Sequence, residues 1–600
     1  MNAGLTFGLA FAVATVAAVA LGALVRRVSV SVGAVVPPRP DRWHSAPTPT
    51  MGGIAIAGAT LAGFCAVALT GLPLPIPASW IYVLLAALAM FVVGILDDRL
   101  QLSPIAKLVA SLAIGAFLVF ALAGGEPAGA LPSWYTLVGT VWFAGICHAI
   151  NLLDNMDGLA TGVALIAAAF LAFLLGAPLG VPITVLLVAL SGSLLGFLHW
   201  NRTPARLFMG DSGSLFIGAL LGGASLAPVI HTRIAFVSPT VLVCLILIVP
   251  LFDTAFVLVL RRLAGRKASK GGTDHVSHRL ASLGFSERSV VRILYLFGAI
   301  GGLAAWGLVA FSAVEPMLPF VALFAVVVIL FGIYLARVPA YETKDFAAIQ
   351  KSSLAPFLKD LAFRWHAGEV LLDLVLIAVC YYAAYRVRFD GSSLDNFIPY
   401  FTATLPVVLG LKLAALFGSG LYRRSWETFG MRDFTVVVRG VGVGSLLSVV
   451  ALYYLNQGVG SSRLVFVLDA VFLMLAVVIT RGSFQAMNLV AATRNKRSRR
   501  VLIYGAGAFG QMLVREFRAN PAWSMNPVAF IDDDPTKARR WVVGLPVRGT
   551  VANLEAALTR YRVDEVILSS ASINGTVEQQ IRDVCGRLQR PVRRMLMDIT

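Results

Sequence analysis

The chain has 600 residues, 58% of them hydrophobic and only 13% charged, with a mean hydropathy of +0.82. That balance excludes an ordinary soluble globular protein, in which about 25% of residues are charged. A formal net charge of +18 suggests nucleic acid as a partner, but the placement of that charge excludes it.

Apolar stretches long enough to cross a bilayer as helices recur along the chain. About eleven precede residue 340, near 4–25, 52–70, 78–96, 108–124, 134–150, 159–175, 181–199, 213–230, 235–260, 291–312 and 317–336. About four more lie near 368–386, 400–418, 436–456 and 464–481. The first stretch has no basic residue before it and no cleavage pattern, so a retained span is expected. Lys and Arg gather in alternate loops: Arg26, Arg27, Arg39 and Arg42; Arg99 and Lys107; Arg202 and Arg206; Arg261, Arg262, Arg266, Lys267 and Lys270. Loops 71–77, 122–133 and 174–180 carry none. This asymmetry places the basic loops on the cytoplasmic side and the N-terminus outside. Cys65, Cys147, Cys244, Cys380 and Cys585 have no metal-binding or redox spacing and are expected to be packing residues.

Four polar segments end apolar runs, all on the side expected to be cytoplasmic. The first is Asp97-Asp98-Arg99, followed by Lys107. Carboxylates beside hydrocarbon are costly and mark functional sites by default; a pair can share a cation or act as a base, and Lys107 can meet phosphate. The second holds Asn151, Asp154, Asn155, Asp157 and Gly158. Its spacing places Asn151, Asp154 and Asp157 near one face if the segment is helical, and a turn if Asn, Asp and Gly dominate. The third runs from Asn201 through Phe208 to Asp211, with Gly213 and Ser214 opening a helix whose N-terminus suits phosphate. The fourth offers His275, His278 and Arg279. Two histidines alone suggest zinc, but the oxygen-rich surroundings suit magnesium, with phosphate contact left to the histidines.

Together with Pro47–Gly53 and Pro250–Thr254, these segments resemble the polyprenyl-phosphate N-acetylhexosamine-1-phosphate transferases, the WecA/MraY-like family, over about residues 1–340. The resemblance implies transfer of a sugar-1-phosphate from a UDP-sugar to undecaprenyl phosphate, release of UMP, and a magnesium ion (or manganese in its place). It implies Asp211 as metal ligand, with Asp97 and Asp98 helping to hold the ion and orient or deprotonate the lipid phosphate. Lys107, His275, His278 and Arg279 would neutralise diphosphate charge; Asn151, Asp154, Asp157, Asn201 and Phe208 would line the nucleotide pocket. The chain departs from the family pattern at His148, at Asn155 in place of a usual glycine, and at Ser277 in place of a common middle histidine. The last change favours the WecA side and an N-acetylhexosamine. A bacterial inner-membrane location follows, with the active site and C-terminal domain cytoplasmic; a homodimer is left open.

A mixed-charge linker, 341–366, separates this part from four further spans in 367–490. With Tyr385–Gly391 and Gly420–Arg424, those spans resemble the membrane portion of CapD/WbpM-like sugar-nucleotide dehydratases. After Arg500 the composition becomes that of a soluble α/β unit. A strand at 501–504 precedes Gly505, Gly507 and Gly510 and a helix to about Arg518; a second strand at 528–531 leads into Asp532; strand 563–568 and helix 581–588 follow. That order predicts a Rossmann-like sheet binding a nucleotide or NAD, with Asp532 near a ribose hydroxyl. Tyr561 is followed four positions later by Glu565 rather than Lys, so hydride chemistry lacks its acid/base pair and a regulatory or scaffolding module is expected. The fold class expected overall is a polytopic α-helical membrane protein of about 11 + 4 transmembrane helices with a C-terminal α/β Rossmann-like cytoplasmic domain. The rival in another class is a transporter or receptor with a nucleotide-sensing C-terminal module.

Overall fold

The computed structural model describes residues 3–37, 47–70, 79–123, 133–179, 181–232, 237–263, 272, 274–310, 324, 327–329, 331–332, 334–336, 365–389, 392–423, 430–456, 462–494, 499–519, 523, 525–534, 536–537, 540–569 and 575–595. Residues 341–364 of the expected linker lie outside this set, as does most of the expected span 317–336. The chain folds as two compact units, Met1–Ser282 with Ser286–Val379, and Leu283–Phe285 with Cys380–Thr600. Among the described residues ten helices are long and apolar enough to cross a membrane, or eleven if one bent pair is counted as a span.

In the first unit the helices are α1 (Ala3–Ser31), α2 (Gly52–Ala68), α3 (Ser79–Leu100), α4 (Pro104–Leu122), α5 (Ser133–Leu153), α6 (Leu159–Leu179), α7 (Val181–Asn201), α8 (Gly210–Thr232), α9 (Val237–Ile246), α10 (Ile248–Leu263), α11 (Val276–Ser282) and α12 (Glu287–Ala310). A two-residue pairing joins β1 (Val35–Val36) to β2 (Thr48–Pro49). On α3 the outward residues Ile81, Leu85, Val92 and Leu96 are exposed and apolar, while Val83, Ala86, Ala87 and Met90 are buried. This is the inverse of a water-soluble helix: lipid is as apolar as the core, so helix association depends on close packing of small residues. A Cβ on Gly192 of α7 would stand 2.3 Å from the Phe11 carbonyl oxygen of α1.

The expected span 235–260 is not one helix. α9 and α10 meet at an 82° bend. Pro250 lies in the first turn of α10, where a missing N–H costs nothing, whereas a continuous helix would drive its ring into the carbonyl of residue 246.

In the second unit the helices α13 (Trp365–Arg388, from Cys380 onward), α14 (Ser392–Gly418), α15 (Met431–Asn456) and α16 (Arg463–Arg494) match the four later spans. The α/β module contains β3 (Arg499–Tyr504), α17 (Ala508–Ala519), β4 (Met525–Ile531), β5 (Trp541–Val542), β6 (Leu545–Pro546), α18 (Leu554–Arg560), β7 (Glu565–Leu568), α19 (Gly575–Arg587) and β8 (Val592–Arg594). Four parallel strands are ordered β4-β3-β7-β8. Side chains alternate along β3: Val501 and Ile503 pack with Val514 and Phe517, whereas Leu502 and Tyr504 pack with Leu558 and Ile581. Helices therefore cover both faces, as a parallel sheet requires.

Candidate active site

The centre of the site is the start of α8. Expected to open at Gly213, this helix begins at Gly210 and carries Asp211 in its first turn. Its foremost amides are not left for phosphate. Asp98, from the end of α3, takes them: the Asp211 amide donates to Asp98 Oδ1 at 2.9 Å, and the Ser212 amide donates to Oδ2 at 3.2 Å. A carboxylate borrowed from a neighbouring helix thus satisfies orphan donors and complements the helix dipole. The fit demands glycine at two points. A Cβ on Gly94 would stand 2.4 Å from Ser212 Cα, and Gly210 has φ +69° with Asp98 Oδ2 2.8 Å from its Cβ position.

Lys107 approaches from α4. Ser103 caps that helix by accepting from the Ala106 amide at 3.2 Å, and Pro104 occupies its first turn. One turn later, Lys107 Nζ donates to Asp97 Oδ2 at 2.6 Å and to Asp211 Oδ2 at 3.0 Å. The remaining Asp211 oxygen, Oδ1, accepts from Asn151 Nδ2 at 3.0 Å, and the same amide donates to Ser214 Oγ at 2.9 Å. Four helices (α3, α4, α5 and α8) therefore deliver Asp97, Lys107, Asn151 and Asp211 to one point, each from a helix end. His148, one turn before Asn151, lies 3.1 Å from the Ser111 hydroxyl through its Nε2.

Asp154 and Asp157 do not continue the helical face of Asn151. α5 stops at Leu153 and residues 154–158 form a turn, closed by Gly158 at φ +76°. The Tyr295 hydroxyl donates to the Gly158 carbonyl at 2.5 Å, and Asp157 Oδ2 accepts from the Ala205 amide at 2.8 Å. Asn201 is 2% exposed. Its Oδ1 accepts from the Gly158 amide and the Thr161 hydroxyl, and its Nδ2 donates to the Leu207 carbonyl. The geometry gives Asn201 the work of tying the 154–158 turn to the end of α7. Phe208 is half-buried, and its backbone bonds to the Pro47–Gly53 segment: its amide donates to the Pro49 carbonyl and its carbonyl accepts from the Gly52 amide, both at 2.9 Å.

The histidine segment is anchored elsewhere. Asp253, an acid on α10 to which the sequence reading gave no role, accepts from the Val276 amide at 2.8 Å, and its other oxygen lies 2.7 Å from His275 Nδ1. An acid inside an apolar run was the signal available for it. Arg279 is 6% exposed and donates to the Leu335 and Ala336 carbonyls at 3.0 and 3.1 Å. Its guanidinium also lies over the Phe256 ring. Ser277 donates to Asn155 Oδ1 at 2.6 Å. His278, half-buried, stands 6.3 Å from His275 between ring centres.

In the α/β module Gly505 has φ +101° and follows β3 directly; a Cβ on Gly510 would stand 1.9 Å from the Gly505 carbonyl oxygen, while Gly507 has open space. Asp532 folds back onto this loop. Its Oδ2 accepts from the Ala506 amide at 2.7 Å and from Lys537 Nζ at 3.1 Å, and its Oδ1 accepts from the Asp534 amide at 2.9 Å. These three bonds occupy the carboxylate that the sequence reading directed at a ribose. The ion pairs with Asp532 and Asp534 hold the half-buried Lys537 ammonium above its usual range.

The metal implied by the family resemblance can be tested on the donor set. Among the described residues no three His, Cys, Asp or Glu side chains form a ready cage. Asp97 and Asp211 nevertheless flank one point from two sides, and a cation, the Lys107 ammonium, already bridges them. Two hard carboxylate oxygens fit magnesium, which is held through one or two carboxylates plus substrate phosphates rather than by an all-protein cage.

Known proteins match both parts of the chain. The glycosyl transferase family 4 model matches residues 80–229, the stretch carrying Asp97, Lys107, Asn151 and Asp211, and a CoA-binding domain model matches residues 419–591. A probable undecaprenyl-phosphate N-acetylglucosaminyl 1-phosphate transferase of Bacillus subtilis is 32% identical over 312 residues, covering 49% of this chain and 83% of that protein. A decaprenyl-phosphate N-acetylglucosaminephosphotransferase of Mycobacterium tuberculosis is 33% identical, covering 48% of this chain and 77% of its own length. A phospho-N-acetylmuramoyl-pentapeptide-transferase of Lactobacillus gasseri is 28% identical, covering 46% and 90%. The chain belongs to the polyprenyl-phosphate N-acetylhexosamine-1-phosphate transferases of glycosyl transferase family 4.

Proposed function

We propose that this protein transfers N-acetylhexosamine-1-phosphate from a UDP-sugar to undecaprenyl phosphate or a similar polyprenyl phosphate, releasing UMP. This would be the first membrane step of a cell-envelope glycan, run at the cytoplasmic face of a bacterial inner membrane. The observation that carries the reading is the convergence of Asp97, Lys107, Asn151 and Asp211 from four helix ends. Such a cluster suits a headgroup reaction at the membrane surface, whereas transporter sites lie near the midplane between broken helices.

Catalysis of this transfer depends on alignment and on neutralising charge. Asp211 and Asp97 would hold a magnesium ion, which supplies electrophilic stabilisation to the diphosphate when bound. Lys107 keeps the two carboxylates at a fixed separation and adds positive charge beside the phosphates. Asn151 orients the Asp211 carboxylate through its Oδ1. Asp97, with one oxygen on Lys107, is the acid left to orient the lipid phosphate, because Asp98 is committed to the α8 amides. The attacking oxygen of the lipid phosphate would form the new bond to the β-phosphorus as the bond to UMP breaks. His278 would meet the diphosphate, His275 being turned by Asp253. Arg279, bound to backbone carbonyls, supports the segment. Asp154, Asp157 and Phe208 border the nucleotide side, with Asn201 bracing it.

We assign residues 1–340 to the transferase, 367–490 to the four-helix segment and 491–600 to the α/β module. The module serves regulation or scaffolding, binding a nucleotide-containing ligand at Gly505–Gly510. The direct test is UMP release by the purified full-length protein with UDP-GlcNAc, undecaprenyl phosphate and magnesium. Turnover that disappears with chelator and with Asp211→Asn supports the proposal. A folded protein that releases no UMP from any of a panel of UDP-sugars defeats it.

A further inference from the structure

We propose that Ser277 is a positioning residue of the transfer site, acting through Asn155 to hold the His275–Arg279 segment against the turn that closes α5. This rests on the transferase reading above. Ser277 is 1% exposed, and its hydroxyl donates to Asn155 Oδ1 at 2.6 Å. Asn155 is itself fixed, its Nδ2 donating to the Leu152 carbonyl at 3.1 Å. One helical turn earlier, Asn151 donates to Asp211. The end of α5 thus touches both parts of the site: Asn151 reaches the carboxylates, and Asn155 reaches the histidine segment.

Further bonds of that segment run to α10 and to the backbone at 335–336. His275 and Val276 are held by Asp253 on α10, and Arg279 by the Leu335 and Ala336 carbonyls. Those contacts fix the segment to α10, which itself packs on α5, and to the backbone at 335–336. The Ser277–Asn155 bond ties it directly to the turn that follows Asn151, and His278 follows Ser277 directly. A side chain that must meet a diphosphate held near Asp211 gains most from such a tie, because small misplacements are costly in phosphoryl transfer.

The test uses the full-length protein with Ser277→Ala, Ser277→Thr, Asn155→Ala and the double alanine variant. UMP release is measured with UDP-GlcNAc and undecaprenyl phosphate varied separately, and hydrogen exchange is followed over residues 274–282. Ser277→Ala should lower kcat/KM for the nucleotide sugar about threefold to tenfold, the range expected for one neutral hydrogen bond. The KM for the lipid should stay unchanged. Ser277→Thr should restore most of the loss, the double variant should be no worse than Ser277→Ala, and exchange over 274–282 should quicken in both alanine variants. Equal losses toward both substrates with a lower melting midpoint would mean a merely structural contact and overturn the proposal. Unchanged exchange overturns it whether or not turnover is seen. A wild-type protein that releases no UMP counts against the transferase reading, while the exchange measurement still decides the Ser277–Asn155 contact.

Discussion

Asp98 on α3 closes the N-terminus of α8, its two carboxylate oxygens receiving the amides of Asp211 and Ser212 at 2.9 and 3.2 Å. Adjacent carboxylates that look alike in sequence are therefore given different work: Asp97 faces Lys107, and Asp98 builds the helix that carries Asp211. Asp98→Ala should cost about 1–2 kcal/mol of stability, the scale of a lost helix cap, and should lower turnover by displacing Asp211. Asp98→Asn keeps one acceptor and should lose less of both. Unfolding in detergent, read beside UMP release, checks this. Full stability with abolished turnover in Asp98→Asn would instead make Asp98 a group that acts on substrate.

Lys107 lies between Asp97 and Asp211 at 2.6 and 3.0 Å. Lys107→Gln leaves two acids facing each other without counter-charge. Turnover should fall by about 10²–10³-fold, the scale of a lost electrostatic contact at a phosphoryl centre. The magnesium concentration giving half-maximal activity should fall too, since an ammonium no longer competes for the same oxygens. A rise in that concentration would show that Lys107 assists the metal rather than competing with it.

Much of this was legible beforehand because membrane spans announce themselves by length, and acids at their ends stand out against hydrocarbon. Asp97, Asp211, Lys107 and Asn151 could be singled out one by one. Their mutual hydrogen bonds could not, because residues 97 and 211 meet only through tertiary packing. Asn155 and Ser277 were each visible as a departure from the family pattern, but nothing in the sequence said that they touch. The bend between α9 and α10 was hidden by a continuous apolar run, although Pro250 marked where a helix can begin. In the α/β module the glycines and three of the strands (β3, β4 and β7) were readable near their expected places, whereas β5, β6 and the sheet strand β8 were too short to stand out. The inward turn of Asp532 onto Ala506 was not, since a carboxylate at a strand end can serve its own loop or a ligand equally well.

Gly94 lies on the face of α3 that meets α8, where an added Cβ would come within 2.4 Å of Ser212 Cα and 2.6 Å of the Asp211 carbonyl oxygen. Both neighbours are backbone and cannot rotate away. Gly94→Ala should therefore destabilise by about 1–3 kcal/mol through overpacking, and it should push Asp211 from Lys107. Gly145 has open space at its Cβ position, so Gly145→Ala is the matched control and should be nearly neutral. The comparison is read from melting midpoints and UMP release. Equal behaviour of the two variants would mean that α3 and α8 are not in fixed contact at the site.

Lys412 on α14 and Asp469 on α16 form an ion pair in which each side chain is 1% exposed. Asp469 Oδ1 has no hydrogen-bond donor among the described residues, so the pair is incompletely satisfied. In apolar surroundings the desolvation of two charges then offsets most of their attraction. Removing one partner is a different matter, because it strands the other charge. Lys412→Met alone or Asp469→Leu alone should cost about 3–5 kcal/mol. The double variant Lys412→Met with Asp469→Leu should return to within about 1 kcal/mol of the parent, since an apolar pair has no charge left to desolvate. Denaturant unfolding of the four proteins in detergent gives the coupling directly. A double variant as unstable as the sum of the singles would show that the two charges act independently and that the pair does not join α14 to α16.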